Sequence, residues 1–261
     1  MEWEIFQVIW ILMLGSVVGS FLNVCAMRIP AGESIVRPRS FTDCCRRPLP
    51  WYDNVPLISF LLLRGKCRYC HARISVQHPL AEAATVLLAL AVWLQWGWTW
   101  LALINFVLCS LLVIVFLIDL HHYIIPNVIT FPGMGIGFSL SVAGVLAVSW
   151  RDSLLGFALG GGLLWLIAVL YQKVRKREGL GGGDIKLLGM LGTFIGVKGV
   201  LLTLFISSLL GGAVGLYAMI VHRKGRHYAL PFGPFIVIGA VIYLFFGETL
   251  LDWYFQQYLQ L

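Results

Sequence analysis

Charge is what this sequence most lacks. Only 12% of its 261 residues are Asp, Glu, Lys or Arg, against 59% hydrophobic, and the mean hydropathy is +0.87. A soluble domain needs a charged surface, and so few charges cannot supply one. Alternation of apolar and polar residues over segments of about ten is also missing, which excludes a transmembrane β-barrel. There is no internal repeat and no low-complexity linker. The first apolar stretch lacks the basic start of a secretory signal. Glu2 and Glu4 precede it and Arg28 follows, so it reads as a retained span.

What the chain has instead is a series of long uncharged runs, each able to cross a hydrocarbon core of about 30 Å. They predict an all-α polytopic membrane protein of about eight transmembrane helices. The spans are Phe6–Met27, Pro79–Trp96, Trp98–Ile118, Asn127–Val148, Ser153–Gln172, Ile185–Val197, Gly199–Val221 and Ala229–Gly247. A turn at Gly196-Val197-Lys198-Gly199 is needed because the sixth and seventh spans as one helix would far exceed a bilayer. The ten tryptophans, several of them near Trp93–Trp100, fit an interfacial aromatic belt. Gly160-Gly161-Gly162 and Gly211-Gly212 suggest close helix packing.

With the amino terminus outside, 17 of the 19 Lys and Arg fall on one side of the membrane: nine in 28–78, five in 173–186 and three in 222–227. Only Arg151 and Lys198 lie opposite. Basic residues in short loops stay cytoplasmic, so both termini are expected to be external. The net charge of +7 is thereby a topology signal and no pointer to nucleic acid. Three regions follow: a first transmembrane helix (1–27), a cytoplasmic cysteine-bearing loop (28–78) and a membrane-embedded remainder (79–261). The loop is too small to build a large apolar core, and domains of that size often need a metal or a similar staple.

Two acidic residues stand at the ends of spans. Asp119 closes the third, in Phe116-Leu117-Ile118-Asp119-Leu120-His121-His122-Tyr123. Asp184 opens the sixth, in Gly181-Gly182-Gly183-Asp184-Ile185-Lys186. The charge count puts both at the cytoplasmic boundary, where an ionisable group is costly unless paired, hydrated or functional. Two close carboxylates share a proton and titrate as a pair. The ionised one can take a proton from water while the protonated one polarises a carbonyl. That chemistry hydrolyses an amide without a metal or a covalent intermediate. Position alone fits equally well an Asp184 that only caps a helix and an Asp119 paired with Lys186 or a histidine.

The flanking words are more specific. Gly181-Gly182-Gly183-Asp184-Ile185-Lys186-Leu187 resembles the Gly-x-Gly-Asp motif of intramembrane aspartic peptidases, and its continuation resembles the type IV prepilin peptidase family. Asp119 followed by Ile125-Pro126-Asn127 is similar to that family's first aspartate motif. Gly19-Ser20-Phe21-Leu22-Asn23-Val24 with Arg28-Ile29-Pro30, and Trp51-Tyr52-Asp53-Asn54-Val55-Pro56-Leu57-Ile58-Ser59, agree with it as well. The resemblance implies that Asp119 and Asp184 are catalytic. They would remove the basic leader of type IV prepilins or pseudopilins at the cytoplasmic face of a bacterial inner membrane, with no cofactor needed for that step. It further implies methylation of the new amino terminus by S-adenosylmethionine, and the loop at 28–78 favours the bacterial branch. Substrate pilins and membrane lipid are the partners expected. The rivals are a proton-coupled transporter or channel that uses the two aspartates as relays, and a binding or assembly protein built around the cysteine loop.

Cys67-Arg68-Tyr69-Cys70 has the spacing that lets two thiolates reach one tetrahedral zinc. The family usually carries a second such pair upstream. Here Cys45 occupies the place of its second cysteine, Thr42 that of its first, and Cys44 is adjacent instead. A zinc site of Cys45, Cys67 and Cys70 with Cys44, His71 or another fourth ligand, a metal-free loop and a redox pair all stay open, although the cytoplasm disfavours stable disulfides. Cys25 and Cys109 lie in spans and read as packing residues. Glu82 resembles a family glutamate and is equally suited to pairing with an arginine. His121 and His122 read as interfacial, and Lys186 as meeting lipid phosphate or Asp184.

Overall fold

The structure is a computed structural model that describes residues 2–38, 41–42, 44–45, 47–176, 181–221 and 230–258. Among the described residues every regular element is helical, and the only ladder pairs are isolated bridges, Phe41 with Pro48 and Lys66 with Arg73. The helices are α1 (Glu2–Ala31), α2 (Ile58–Leu62), α3 (Gln77–Trp96), α4 (Trp100–His122), α5 (Asn127–Val142), α6 (Trp150–Phe157), α7 (Leu164–Arg175), α8 (Gly182–Val221) and α9 (Gly233–Tyr258). A 3₁₀ turn at Trp51–Asn54 precedes α2, and a π-helical stretch, Ala158–Leu163, joins α6 to α7 without a break.

Six of these elements are long and apolar enough to cross a membrane, counting α6 to α7 as one, and Asn127–Val142 is a shorter apolar helix. Large apolar side chains cover their outer faces, among them Trp10, Val17, Leu94, Trp165 and Phe205. That surface suits lipid, where backbone groups must be satisfied inside the helix. The long α8 is two helices, because Gly196 leaves helical geometry with φ 67°. Only glycine adopts that backbone without strain, so the turn expected between the sixth and seventh spans falls at this residue. Asp152 braces it by accepting the Val197 N–H at 3.3 Å.

The ends of several spans differ from those expected. The third runs one turn further, so Asp119 lies inside the last turn of α4. The fourth stops at Val142, because the chain turns through Gly144 with φ 69°. The last continues to Tyr258, and its expected first residue, Ala229, lies outside the described residues, as does the basic stretch 222–227.

The chain divides into two compact units, Met1–Ile118 and Asp119–Leu261. In the first, α1 packs along α3. A side chain on Gly15 or Gly19 would come within 2.8 Å of the backbone of Val86 or Glu82. This is the small-xxx-small contact that membrane helices use in place of a hydrophobic driving force. In the second unit, α8 is the central element, against α5, α6, α9 and the π-helical stretch. Its first half is fully buried through Leu187, Leu188, Met190 and Leu191, and Ser153 of α6 donates to the Thr193 carbonyl at 2.9 Å. Gly160 lies directly on the Leu188 carbonyl, so that the π-helical stretch backs the same half of α8.

Candidate active site

Helix ends carry both aspartates. Asp119 is buried in the last turn of α4, and its Oδ2 accepts the N–H of Gly233, the first residue of α9, at 3.0 Å. The two groups are so close that a Cβ on Gly233 would come within 2.5 Å of that oxygen. The opening N–H groups of a helix have no partner within it and carry its positive dipole end. The carboxylate of Asp119 takes up one of them.

Asp184 is the third residue of α8 and is half-buried. Its backbone N–H donates to the Gly181 carbonyl at 3.1 Å, and its carboxylate in return accepts the Gly181 N–H. This is the reach-back geometry of a helix cap, so the capping role considered from position alone is present. Capping, however, asks nothing of Asp119, and the charge of Asp119 acts on Asp184. Two carboxylates within reach of each other's charge, at the mouths of two apolar helices, are an arrangement that capping leaves unexplained.

The two aspartate words also touch one another. Gly183 lies against Ile125, where a Cβ would come within 3.0 Å of the isoleucine Cβ. The Lys186 ammonium donates to Asn127 Oδ1 at 2.9 Å and lies 5.5 Å from the centre of the Phe131 ring. Lys186 thus clamps the Ile-Pro-Asn turn to α8, where the sequence suggested lipid phosphate or Asp184. Asp119 takes a backbone donor from Gly233, and Lys186, one of the partners position alone allowed it, is engaged with Asn127. Gly233 escaped the sequence reading altogether. Its signal was Pro231-Phe232-Gly233-Pro234, a proline-punctuated start to an apolar run.

In the first unit, Cys44, Cys45, Cys67 and Cys70 come together with every ligand atom within 4.8 Å of the others. Cys70 Sγ lies 3.0 Å from Cys44 Sγ, and Cys45 Sγ lies 4.0 Å from Cys67 Sγ. Four sulfurs around a tetrahedral zinc would stand about 3.8 Å apart, given Zn–S bonds of about 2.3 Å, so the donor set fits that ion. His71 is not in the group. Tight backbone turns aim the thiols. The Lys66–Arg73 bridge closes the Cys67–Cys70 turn, and Cys67 N–H donates to the Ala72 carbonyl at 2.8 Å. The backbone N–H of Cys70, followed by that of Tyr69, holds the Cys67 thiol down to about 6. The Thr42 hydroxyl, 3.0 Å from Cys45 Sγ, holds that thiol below its ordinary value. Cys44, sharing a proton with Cys70, is pushed up to about 12. Thr42 therefore supports the cluster without ligating it, and the adjacent Cys44 supplies the fourth sulfur.

Glu82, on α3, accepts the Leu57 N–H at 2.8 Å, where an arginine partner was considered. Arg68 pairs instead with Asp53 through three hydrogen bonds of 2.6 to 3.1 Å.

Two family models match successive stretches of the chain. Residues 13–96 match the Bacterial Peptidase A24 N-terminal domain, and residues 106–216 match the Type IV leader peptidase family. A Prepilin leader peptidase/N-methyltransferase of Myxococcus xanthus is 42% identical over 212 residues, covering 81% of this chain and 63% of that relative. Proteins of the same name from Neisseria gonorrhoeae and Pseudomonas aeruginosa are 35% and 34% identical. They cover 88% and 94% of this chain and 87% and 92% of their own lengths. No solved structure matches.

Proposed function

The chain belongs to the type IV leader peptidase family, and from that premise we propose that Asp119 and Asp184 are the catalytic pair of a membrane aspartic endopeptidase acting on type IV prepilins or pseudopilins. The observation that carries the assignment is the placing of these two carboxylates, at the ends of different helices, within reach of each other's charge. One carboxylate, ionised, takes a proton from a water molecule as that water attacks the scissile carbonyl. The other, protonated, donates to the carbonyl oxygen, and a proton then passes to the departing amine. The Gly233 N–H fixes the orientation of Asp119, and the Gly181 cap fixes that of Asp184.

The excess of basic residues in 28–78, 173–186 and 222–227 supports an inner-membrane topology with this pair on the cytoplasmic face. A pilin precursor with a basic leader before an apolar helix would present its scissile bond at that depth. In the loop, Cys44, Cys45, Cys67 and Cys70 would hold zinc, which supplies a structural cross-link to a segment too small for a core of its own. The second activity is methylation of the new terminal amine with S-adenosylmethionine as donor. That donor, when bound, would supply an electrophilic methyl group to the amine, which would give up one proton.

The test is to incubate the purified full-length protein in detergent with a prepilin and follow leader removal. Wild type is expected to cleave, and cleavage by Asp119→Ala or Asp184→Ala at the wild-type rate would refute the assignment.

A further inference from the structure

Between the two pairs of cysteines, the stretch Asn54–Leu63 has no charge, although Arg and Lys flank it on both sides. It is too short to span a bilayer. Backbone hydrogen bonds from Leu61 to Leu57 and from Leu63 to Ser59, at 3.1 and 2.9 Å, wind its second half into α2 and its flanks. Ile58, Leu61 and Leu62 have the i, i+3, i+4 spacing that puts side chains on one helix face, and they are 56%, 73% and 78% exposed. Phe60 instead turns back onto Gly65, where a Cβ would come within 3.1 Å of its ring. The loop keeps that aromatic ring for itself and presents three large aliphatic side chains outward. Contiguous exposed apolar side chains mark a contact with membrane or with protein.

Hydrogen bonds to the spans of the same unit fix the depth of this face. The backbone takes φ 58° at Leu57, a conformation leucine rarely adopts, and the Leu57 N–H donates to Glu82 Oε2 at 2.8 Å. Glu82 lies inside the α3 span and also takes the hydroxyl of Ser20, on α1. Gly19, next to Ser20, rests on the Glu82 backbone. Ser20 precedes Arg28, the first basic residue of the chain, by about 12 Å of helix at 1.5 Å per residue. So α2 starts at a level where both α1 and α3 are still apolar spans. Leu80 and Leu87 of α3 are also exposed, and the lipid-facing surface of that helix therefore reaches the level of α2. Arg64 and Lys66 follow α2 directly. Both are exposed, and neither has an ion pair among the described residues. Basic side chains beside an apolar face suit the boundary where acyl chains meet phosphates.

We infer that Ile58, Leu61 and Leu62 insert into the bilayer leaflet where α1 ends and α3 begins, as an interfacial anchor, with Arg64 and Lys66 on anionic lipid phosphates. Lipid is the occupant of this face. The loop is then tied to the membrane at its middle as well as at its two ends, and the Cys67–Cys70 turn, which follows Lys66 directly, is held at the level of the headgroups.

The test is photocrosslinking of the full-length protein in nanodiscs of phosphatidylcholine and phosphatidylglycerol in equal amounts. The photoreactive residue p-benzoylphenylalanine replaces Leu62 or, separately, Leu61, with a replacement of the exposed Leu94 of α3 as the lipid-facing reference. Leader cleavage reports that each variant is folded, and adducts are identified by mass spectrometry. Both loop variants are expected to give phospholipid adducts at a yield comparable to the reference. Those adducts should favour phosphatidylglycerol by about fivefold, the scale of a basic side chain at an anionic surface, and Arg64→Gln with Lys66→Gln should abolish the preference. Crosslinks only to a second copy of the chain would make the face a protein interface and overturn the proposal. So would an absence of lipid adducts from both loop variants when the reference gives them. Equal labelling of the two lipids would overturn the part given to Arg64 and Lys66.

Discussion

Asp119 and Asp184 stand on the ends of long helices, whereas Cys44, Cys45, Cys67 and Cys70 stand on short turns. The aspartates are positioned by elements that the membrane itself enforces. In lipid the backbone must be helical, and the helices fix where their first and last turns lie. The cysteines are positioned by local hydrogen bonds, such as Cys67 N–H to Ala72 and Thr42 Oγ1 to Cys45 Sγ, in a segment whose two isolated bridges are its only strand-like pairing among the described residues. A site on helix ends needs no ion to exist. A site on turns gains its rigidity when a metal joins them. The two regions should therefore fail in different ways.

Substituting either aspartate is the most severe way to break the comparison. Asp119→Ala or Asp184→Ala should slow leader cleavage by about 10³-fold, within the range for loss of an acid–base group, while zinc content and S-adenosylmethionine binding stay as in wild type. Next comes the support of Asp119. Gly233→Val places methyl groups where Asp119 Oδ2 now lies. A displacement of about 1 Å at a reacting group costs about 10²-fold, and a cleavage assay on protein that still elutes as a single folded species would show it. Cys67→Ser sharpens the contrast from the other side. Metal analysis should find zinc falling from about one per chain to background, methyl transfer should be lost, and leader cleavage should persist. The smallest effect is expected at Lys186→Met. Its exposed contact with Asn127 is worth on the order of 1 kcal/mol at most, so cleavage should fall by less than about fivefold.

Much of the second unit was legible in the sequence because lipid permits few alternatives. Uncharged runs mark spans, and the place of Asp184 follows from Gly181-Gly182-Gly183 meeting an apolar run. The break at Gly196 was readable because a single helix through it would be too long for a bilayer. Span ends were less legible. Nothing in the pattern says that Asp119 falls inside the last turn of α4 instead of after it, or that the positive φ of Gly144 ends α5 early. Contacts made across the fold were least legible. Gly233 lies 114 residues from Asp119, and a backbone N–H leaves no mark in a residue pattern. Lys186 finds Asn127 for the same kind of reason, since both motif words were visible but their meeting was not. In the loop, Thr42 was marked as a departure from the expected ligand spacing. Only the three-dimensional arrangement gives it a part, as the hydroxyl that steadies Cys45 while Cys44 joins the cluster.

The central claim is that the two carboxylates act as one device, and a double-mutant cycle tests it most directly. Single-turnover leader cleavage would be measured for wild type, Asp119→Asn, Asp184→Asn and the double variant, under one set of conditions and with zinc content confirmed. Groups that act as a unit are strongly non-additive. Each single variant is therefore expected to lose about as much activity as the double. Losses that multiply, or a single variant that cleaves near the wild-type rate, would contradict the account.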